Sequence, residues 1–351
     1  MKYSILIGRF QPFHTGHLDA CKQALKQTEH LIILIGSAFS SPSIKNPFSW
    51  LDRRTMITKS LMAENLSGKF TTLPIRDYFY SDNTWVAKIQ AAIENIVGPG
   101  DEVFLVNYPK DDSTYYLNLF PKWNMLKINP KDPGLNATAL RSFFFSRPAE
   151  LATDLIPKPV FEVLTQYTTC PSWKDYGMED RTKLDEYERL VEEHRHIQQY
   201  KLDWEESPYP PIFNTADAII VCGGHILLIE RKFAPGKGLL ALPGGFIRQN
   251  ETYRAAALRE LKEETRLKVP KAVLDGRIVA ERTFDYPYRS VRGRVITRGF
   301  HIQLDERPLP KVGGGDDAKK AFWMPLNEVY NNMSLFFEDH YQIIESFVGN
   351  L

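Results

Sequence analysis

The sequence predicts an α/β first half joined to an α+β second half. Three observations lead there. A length of 351 residues is more than one hydrophobic core comfortably organises and suits two domains. Up to about residue 168, short apolar runs alternate with helical patterns, as in a parallel sheet covered by helices. After Phe213 the apolar runs are strands interrupted by one strong helix, which predicts a mixed sheet.

Taken in order, "YSILIG" (3–8) is a strand, Gly16 to Gln27 a helix, "HLIILIGSA" (30–38) a strand, Trp50 to Ala63 a helix, and "EVFLVN" (102–107) a strand. Residues 170–180, "CPSWKDYGMED", read as a loop. The charged stretch that follows, 181–203, places Leu184, Tyr187, Leu190, Val191 and His194 at helical spacing. "ESPYPP" (206–211) stops this helix, since proline removes a donor and restricts the residue before it. The expected division is a first domain over 1–168, a linker with the charged helix over 169–204, and a second domain over 205–351. In the second domain "DAIIVC", "HILLIER", "GRIVAERTF" and "RVITRGFHIQL" are strands, and Thr252 to Thr265 is the helix. "VGGGDDAKK" (312–320) reads as a flexible loop and lacks the Gly-Lys-Ser/Thr of a P-loop.

Composition narrows the classes of function. Apolar residues are 43% and charged residues 25%, the balance of an ordinary globular protein. A formal net charge of +1 argues against a broad basic surface for nucleic acid, though it leaves room for local phosphate pockets. Cys21, Cys170 and Cys222 show no metal spacing and suggest no disulfide framework, which fits a reducing cytoplasm. No signal peptide is apparent after Met1, and no apolar run approaches the ~20 residues of a membrane span. The expected partners are therefore small molecules, neither nucleic acid nor membrane, with homo-oligomerisation left open.

"GRFQPFHTGH" (8–17) follows the first strand and opens a helix. Gly8 lets the backbone pass close to a ligand, and the free N–H groups of the new helix suit a phosphate. His14 and His17, three apart, face one spot and can stabilise charge on a phosphoryl group during transfer. Singly, each would be an ordinary surface histidine. In "GLNATALRS" (134–142), Thr138 at a helix start and Arg141 one turn later can both hold phosphate oxygens.

These strings resemble the archaeal-type nicotinamide mononucleotide (NMN) adenylyltransferases of the nucleotidylyltransferase superfamily, over roughly the first 165 residues. The resemblance implies a Rossmann-like domain that binds ATP through Gly8, Arg9, Phe10, His14, His17, Thr138 and Arg141. It also implies that Arg53, in "NPFSWLDRR" (46–54), contacts phosphate. In "SDNTWV" (81–86), Trp85 would stack on the nicotinamide ring and Asn83 would bond its carboxamide. Asn136 and Ala137 stand where the family has small Ser and Gly, so the pocket for the β- and γ-phosphates is expected to differ slightly. Transfer to another phosphorylated acceptor is the alternative.

"LPGGFIRQNETYRAAALRELKEETRL" (242–267) gathers acids at a telling spacing. Glu260, Glu263 and Glu264 sit at i, i+3 and i+4, so their carboxylates share one helix face, where they would repel unless a hard divalent cation were present. The segment resembles the Nudix box, with Gly245, Glu251, Arg259, Glu260, Glu263 and Glu264 matched and Arg266 in place of the closing glycine. By that resemblance Gly245, Glu260, Glu263 and Glu264 hold Mg²⁺ or Mn²⁺, while Glu251 and Arg259 form a structural pair. Arginine is a poor residue for a left-handed helix end, so the helix is expected to end at a shifted position.

The surrounding strings resemble the ADP-ribose pyrophosphatase branch of the Nudix hydrolases. Arg231, Lys232, Lys237, Arg289 and Arg292 are candidates for a diphosphate, and Phe284, Tyr286 or Tyr288 for stacking on adenine. The whole resembles a bifunctional NMN adenylyltransferase fused to a Nudix domain. That implies the substrates ATP, NMN and ADP-ribose. A nucleotide-sensing module and a sanitiser of oxidised nucleotides are the alternatives for the second half.

Overall fold

The computed structural model describes residues 1–107, 117–129, 131–132, 134–148, 154–168, 182–305 and 307–349. Cys170 and the loop expected over 170–180 lie outside the described residues. The chain forms two compact units, Met1–Glu192 and Glu193–Leu351. The division falls within the charged helix, in the stretch the sequence assigned to a linker.

The first unit runs β1 (Lys2–Gly8), α1 (Thr15–Leu25), β2 (His30–Ile35), α2 (Trp50–Ala63), β3 (Phe70–Pro74), α3 (Asp82–Glu94), β4 (Glu102–Asn107), β5 (Asn124–Lys127), α4 (Ala137–Ser146) and α5 (Lys158–Thr168). Helix α6 (Thr182–Leu202) starts in it. The five strands are all parallel, in the order β3-β2-β1-β4-β5. The chain reverses its winding between β1 and β4, and ligands of such sheets bind at the carboxyl ends of the strands near this point. Strand β2 shows why the sheet folds: Leu31, Ile33 and Ile35 enter the core on one face, Ile32 and Leu34 the core on the other.

The second unit adds β6 (Ile212–Cys222), β7 (His225–Arg231), β8 (Leu240–Ala241), β9 (Gly244–Phe246), α7 (Tyr253–Thr265), α8 (Lys271–Gly276), β10 (Ile278–Phe284), β11 (Arg294–Leu304), β12 (Ala318–Pro325), α9 (Leu326–Asn331) and α10 (His340–Val348). Its sheet is mixed, in the order β10-β11-β6-β7-β12, with β8 on β7 and β9 on β6; only β11 and β6 run parallel. Helix α7 buries Leu258 and Leu261 against Ala218, Ile220 and Leu227, which leaves its acidic face directed toward β9. Among the described residues no helix is long and apolar enough to cross a membrane.

Candidate active sites

The first site is built on the loop between β1 and α1. Phe10 takes a left-handed backbone, φ 52°, and lays its ring over Gly8, where an added Cβ would meet it at 2.8 Å. Gly8 is therefore required by Phe10 itself. The Phe10 ring is buried in the core. Gln11 clamps the loop to the "NPFSW" stretch: its Nε2 donates to Phe48 O at 2.9 Å, and its Oε1 accepts from Phe48 N at 3.1 Å.

His14 caps α1 and is buried, while His17 lies one turn on and is half-buried. The His14 N–H donates to His17 Nδ1 at 3.3 Å, and the two rings stack with centroids 3.6 Å apart. The two imidazoles therefore occupy one place. Arg141, on α4, reaches the same loop, donating to Gln11 O at 2.8 Å and to Thr138 Oγ1 at 3.1 Å. Burial, reinforced by the nearby charge of Arg9, lowers its pKa to about 10. The departure from the family pattern has a physical account, because Asn136 is the N-cap of α4 and accepts the Ala139 N–H at 2.9 Å.

Arg53 takes a different place from the one expected. Its guanidinium is 1% exposed and donates to the carbonyls of Arg9, Gly36, Ser37 and Ser49, so four of its five N–H groups hold the loops together instead of facing phosphate. Its neighbour Asp52 completes a capping box with Ser49 and accepts from Tyr167 Oη at 2.7 Å and Lys183 Nζ at 2.6 Å. Asn83 is exposed and Trp85 half-buried at the start of α3. Trp85 packs with the cluster of Tyr3 and Ile5, whereas Phe10 and Phe13 belong to the core on the other face of the sheet. Asp77, which the sequence reading passed over, accepts the Ser37 N–H at 3.2 Å near Arg9 and Arg53, and burial raises its pKa.

The second site lies between β9 and α7. Glu251 and Arg259 pair in two bonds of 2.8 and 2.9 Å, and Arg259 also donates to Phe246 O, fixing the loop to the helix. Glu260 and Glu263 both bond Arg259 Nη1, at 2.6 and 3.0 Å, so their carboxylates are neighbours. Glu260 also abuts Gly245, where a Cβ would lie 2.5 Å from Oε1. Glu264 is buried and accepts the Gly244 N–H at 2.9 Å; burial, with Glu260 and Asp217 adding to it, pushes its pKa up to about 8. Burial likewise raises Glu260.

Among the described residues no three acidic, histidine or cysteine side chains already converge at metal spacing. Arg259 instead supplies the positive charge that Glu260 and Glu263 face. The donor set nonetheless fits a hard divalent cation: three carboxylate side chains on one helix face, two of them with raised pKa, with the Glu260 carboxylate packed directly against Gly245.

Arg266 corrects a further expectation. The helix is not shifted; it ends at Thr265, and Arg266 itself adopts the left-handed conformation, φ 49° and ψ 27°. The 312–315 loop makes this tolerable, since Gly313 N–H bonds Thr265 O and Gly315 N–H bonds Glu264 O, each at 2.9 Å. A Cβ on Gly315 would come within 2.5 Å of Glu263 O, so only glycine approaches this closely. These bonds offset a strain of about 1 kcal/mol.

The expected ADP-ribose residues divide. Arg231 is half-buried over the Phe337 ring, 4.2 Å from its centroid, and Arg292 lies over Phe246 at 5.2 Å. Lys232 and Lys237 are exposed, Tyr286 is half-buried, and Tyr288 is exposed. Phe284 is a correction: it is fully buried against Phe347, in space left by Gly299, and presents no face to adenine. Arg289 is another, paired to Asp339 by two bonds of 2.9 and 2.7 Å inside the core. Asp217 was missed; it is buried on β6 opposite Gly244 and bonded by the Thr297 hydroxyl, and burial raises its pKa to about 6. A single carboxylate in the apolar run "TADAIIVC" was the available signal.

Fold and sites together define a nucleotidylyltransferase-like unit followed by a Nudix unit. The matching family models are "Cytidylyltransferase-like" over residues 5–97 and "NUDIX domain" over residues 213–347. A nicotinamide/nicotinic acid mononucleotide adenylyltransferase of Acinetobacter baylyi is 31% identical, over 52% of this chain and 97% of its own. An ADP-ribose pyrophosphatase of Methanocaldococcus jannaschii is 35% identical, over 46% and 85%. A bifunctional NMN adenylyltransferase/ADP ribose pyrophosphatase from Francisella tularensis, in complex with AMP and manganese ion, is 34% identical, with a TM-score of 0.89 over 99% of this chain and 98% of that one. The chain belongs to this bifunctional NMN adenylyltransferase/ADP-ribose pyrophosphatase family.

Proposed function

We propose that the chain makes NAD and hydrolyses ADP-ribose at two separate sites. The first activity is assigned to residues 1–168 and the second to residues 205–351. In the first, the 5′-phosphate of NMN attacks the α-phosphorus of ATP, the bond to the β-phosphate oxygen breaks, and pyrophosphate leaves. His14, His17 and Arg141 neutralise charge that builds on the phosphates, Thr138 orients them, and the N-terminus of α1 adds its dipole. Catalysis is positioning and charge stabilisation, without a covalent intermediate. Trp85 and Asn83 receive the nicotinamide ring and its carboxamide.

In the second, water attacks the diphosphate of ADP-ribose to give AMP and ribose 5-phosphate. Glu260, Glu263, Glu264 and the Gly245 carbonyl would hold Mg²⁺, with Mn²⁺ as a substitute. The bound cation would polarise the phosphate and lower the pKa of water. Arg231, Arg292 and Lys237 receive the diphosphate, and Tyr286 the adenine. The partners are small nucleotides.

The observations that support this reading are two polar clusters in one chain: stacked His14 and His17 on the loop that Arg141 bonds at Gln11 O, and an acid ridge held by Arg259. The test is product analysis with the full chain. ATP and NMN with Mg²⁺ give NAD and pyrophosphate, and ADP-ribose with Mg²⁺ gives AMP. ADP-ribose binding without AMP release would sink the second assignment in favour of a sensor, and faster turnover of oxidised nucleoside triphosphates would sink it in favour of a sanitiser.

A further inference from the structure

Glu193 lies on α6, outside residues 213–347 that match the Nudix family model, yet its side chain serves that unit. The residue is 3% exposed, and its Oε2 accepts the Gly236 N–H at 2.8 Å. The other end of the same peptide group is also held, because Pro235 O accepts from Arg231 Nε at 2.8 Å. One peptide unit is thus gripped by a carboxylate at its N–H and a guanidinium at its C=O. Each charge polarises the amide in the sense that strengthens the other bond.

The neighbouring atoms leave this peptide little freedom. Gly236 has φ 75°, and a Cβ there would meet the Phe337 ring at 2.2 Å. That ring also carries the Arg231 guanidinium, 4.2 Å above its centroid. Arg231 in turn interacts electrostatically with Glu264 on the acid ridge. The connection runs from a buried carboxylate, through one peptide group, to a cation beside the ridge.

We propose that Glu193 is a positioning residue for ADP-ribose hydrolysis, setting the Arg231 guanidinium, through the Pro235–Gly236 peptide, where it meets the diphosphate. The inference rests on the assignment of the second unit as an ADP-ribose hydrolase. Glu193 touches no substrate. Removing it frees the peptide to rotate and leaves Arg231 without its fixed acceptor, which weakens ground state and transition state alike. Such a loss raises KM and spares kcat.

The experiment uses the full chain as wild type, Glu193→Ala and Glu193→Gln. It reads ADP-ribose hydrolysis with Mg²⁺, ADP-ribose binding by calorimetry without metal, and adenylyl transfer as a control. Glu193→Ala is expected to raise KM and weaken binding about tenfold, with kcat within about twofold, as for loss of one charge-assisted hydrogen bond. Glu193→Gln keeps an acceptor oxygen and restores both to within about threefold of wild type. Adenylyl transfer stays unchanged. An unaltered KM and binding constant in Glu193→Ala overturns the inference, as does a fall in kcat alone that Glu193→Gln shares. A wild-type chain that binds ADP-ribose without cleaving it refutes the hydrolase assignment, and the binding comparison then still decides the role of Glu193.

Discussion

Replacing Arg53 separates two roles for a residue that the family pattern assigns to phosphate. In the structure its guanidinium is 1% exposed and bonds four carbonyls, those of Arg9, Gly36, Ser37 and Ser49. Arg53→Met removes the charge, keeps most of the stem volume, and leaves those carbonyls without their donor. The bond to Ser37 O is buried and the other three are partly buried, at the strand ends, where no side chain of the variant can replace the donor. Leaving a buried polar group unsatisfied costs about 1–3 kcal/mol, and water reaching the looser loops recovers part of the total, so the net loss is about 3–5 kcal/mol. The measurement is amide exchange in β1 and β2, whose ends adjoin these carbonyls. Their protection should fall by about 10²- to 10⁴-fold, while β6 and β11 keep theirs. Protection within a few-fold of wild type, together with a large loss of adenylyl transfer, would refute the scaffold role and restore Arg53 to the phosphate.

Three other perturbations follow from the second unit. Gly245→Ala places a methyl 2.5 Å from Glu260 Oε1, so ADP-ribose turnover should fall at least about tenfold while adenylyl transfer is unchanged; steady-state assays of both reactions on one sample check this. Phe284→Ala should cost about 3–5 kcal/mol in urea unfolding of the second unit, yet leave the KM for ADP-ribose near wild type, because its ring fills core. His340 is buried, accepts the Leu242 N–H at 3.0 Å, and has its pKa lowered to about 3 by burial. The depressed value means that its contribution to stability is present above the unfolded pKa, about 6.5, and is lost as pH falls toward 3. Unfolding followed across that range should show a slope that His340→Gln flattens.

What could be read in the sequence depended on how local the cause was. Strand β2, buried on both faces, was plain because every residue of "LIILI" is apolar. Edge strands were not. Pro74 at the end of β3 and the Lys319-Lys320 pair in β12 are tolerated because those strands lie at the sheet margins, but on paper they resemble loops. The acid ridge was legible because helical periodicity alone puts Glu260, Glu263 and Glu264 together. The stacking of His14 on His17 had the same origin, three residues on one turn. Side chains whose direction is set by distant partners escaped. Arg289 meets Asp339 from fifty positions away, and Arg53 turns inward toward carbonyls on two other segments. Which aromatic among Phe284, Tyr286 and Tyr288 would be swallowed depended on Gly299, a vacancy on the adjacent strand.

The glycine run at 313–315 ties the chemistry of α7 to a connection that carries none of its acids. Glu264 is the penultimate residue of its helix, a position that would ordinarily fray, yet its own carbonyl and that of Thr265 are held by amides from beyond β11. The length of the β11–β12 crossing therefore sets where the last turn of α7 is seated. A residue inserted between Val312 and Asp316 would unseat the last turn of α7 and tilt the acids on it, so on the proposed assignment ADP-ribose turnover should fall from a change in a stretch that looks like spacer.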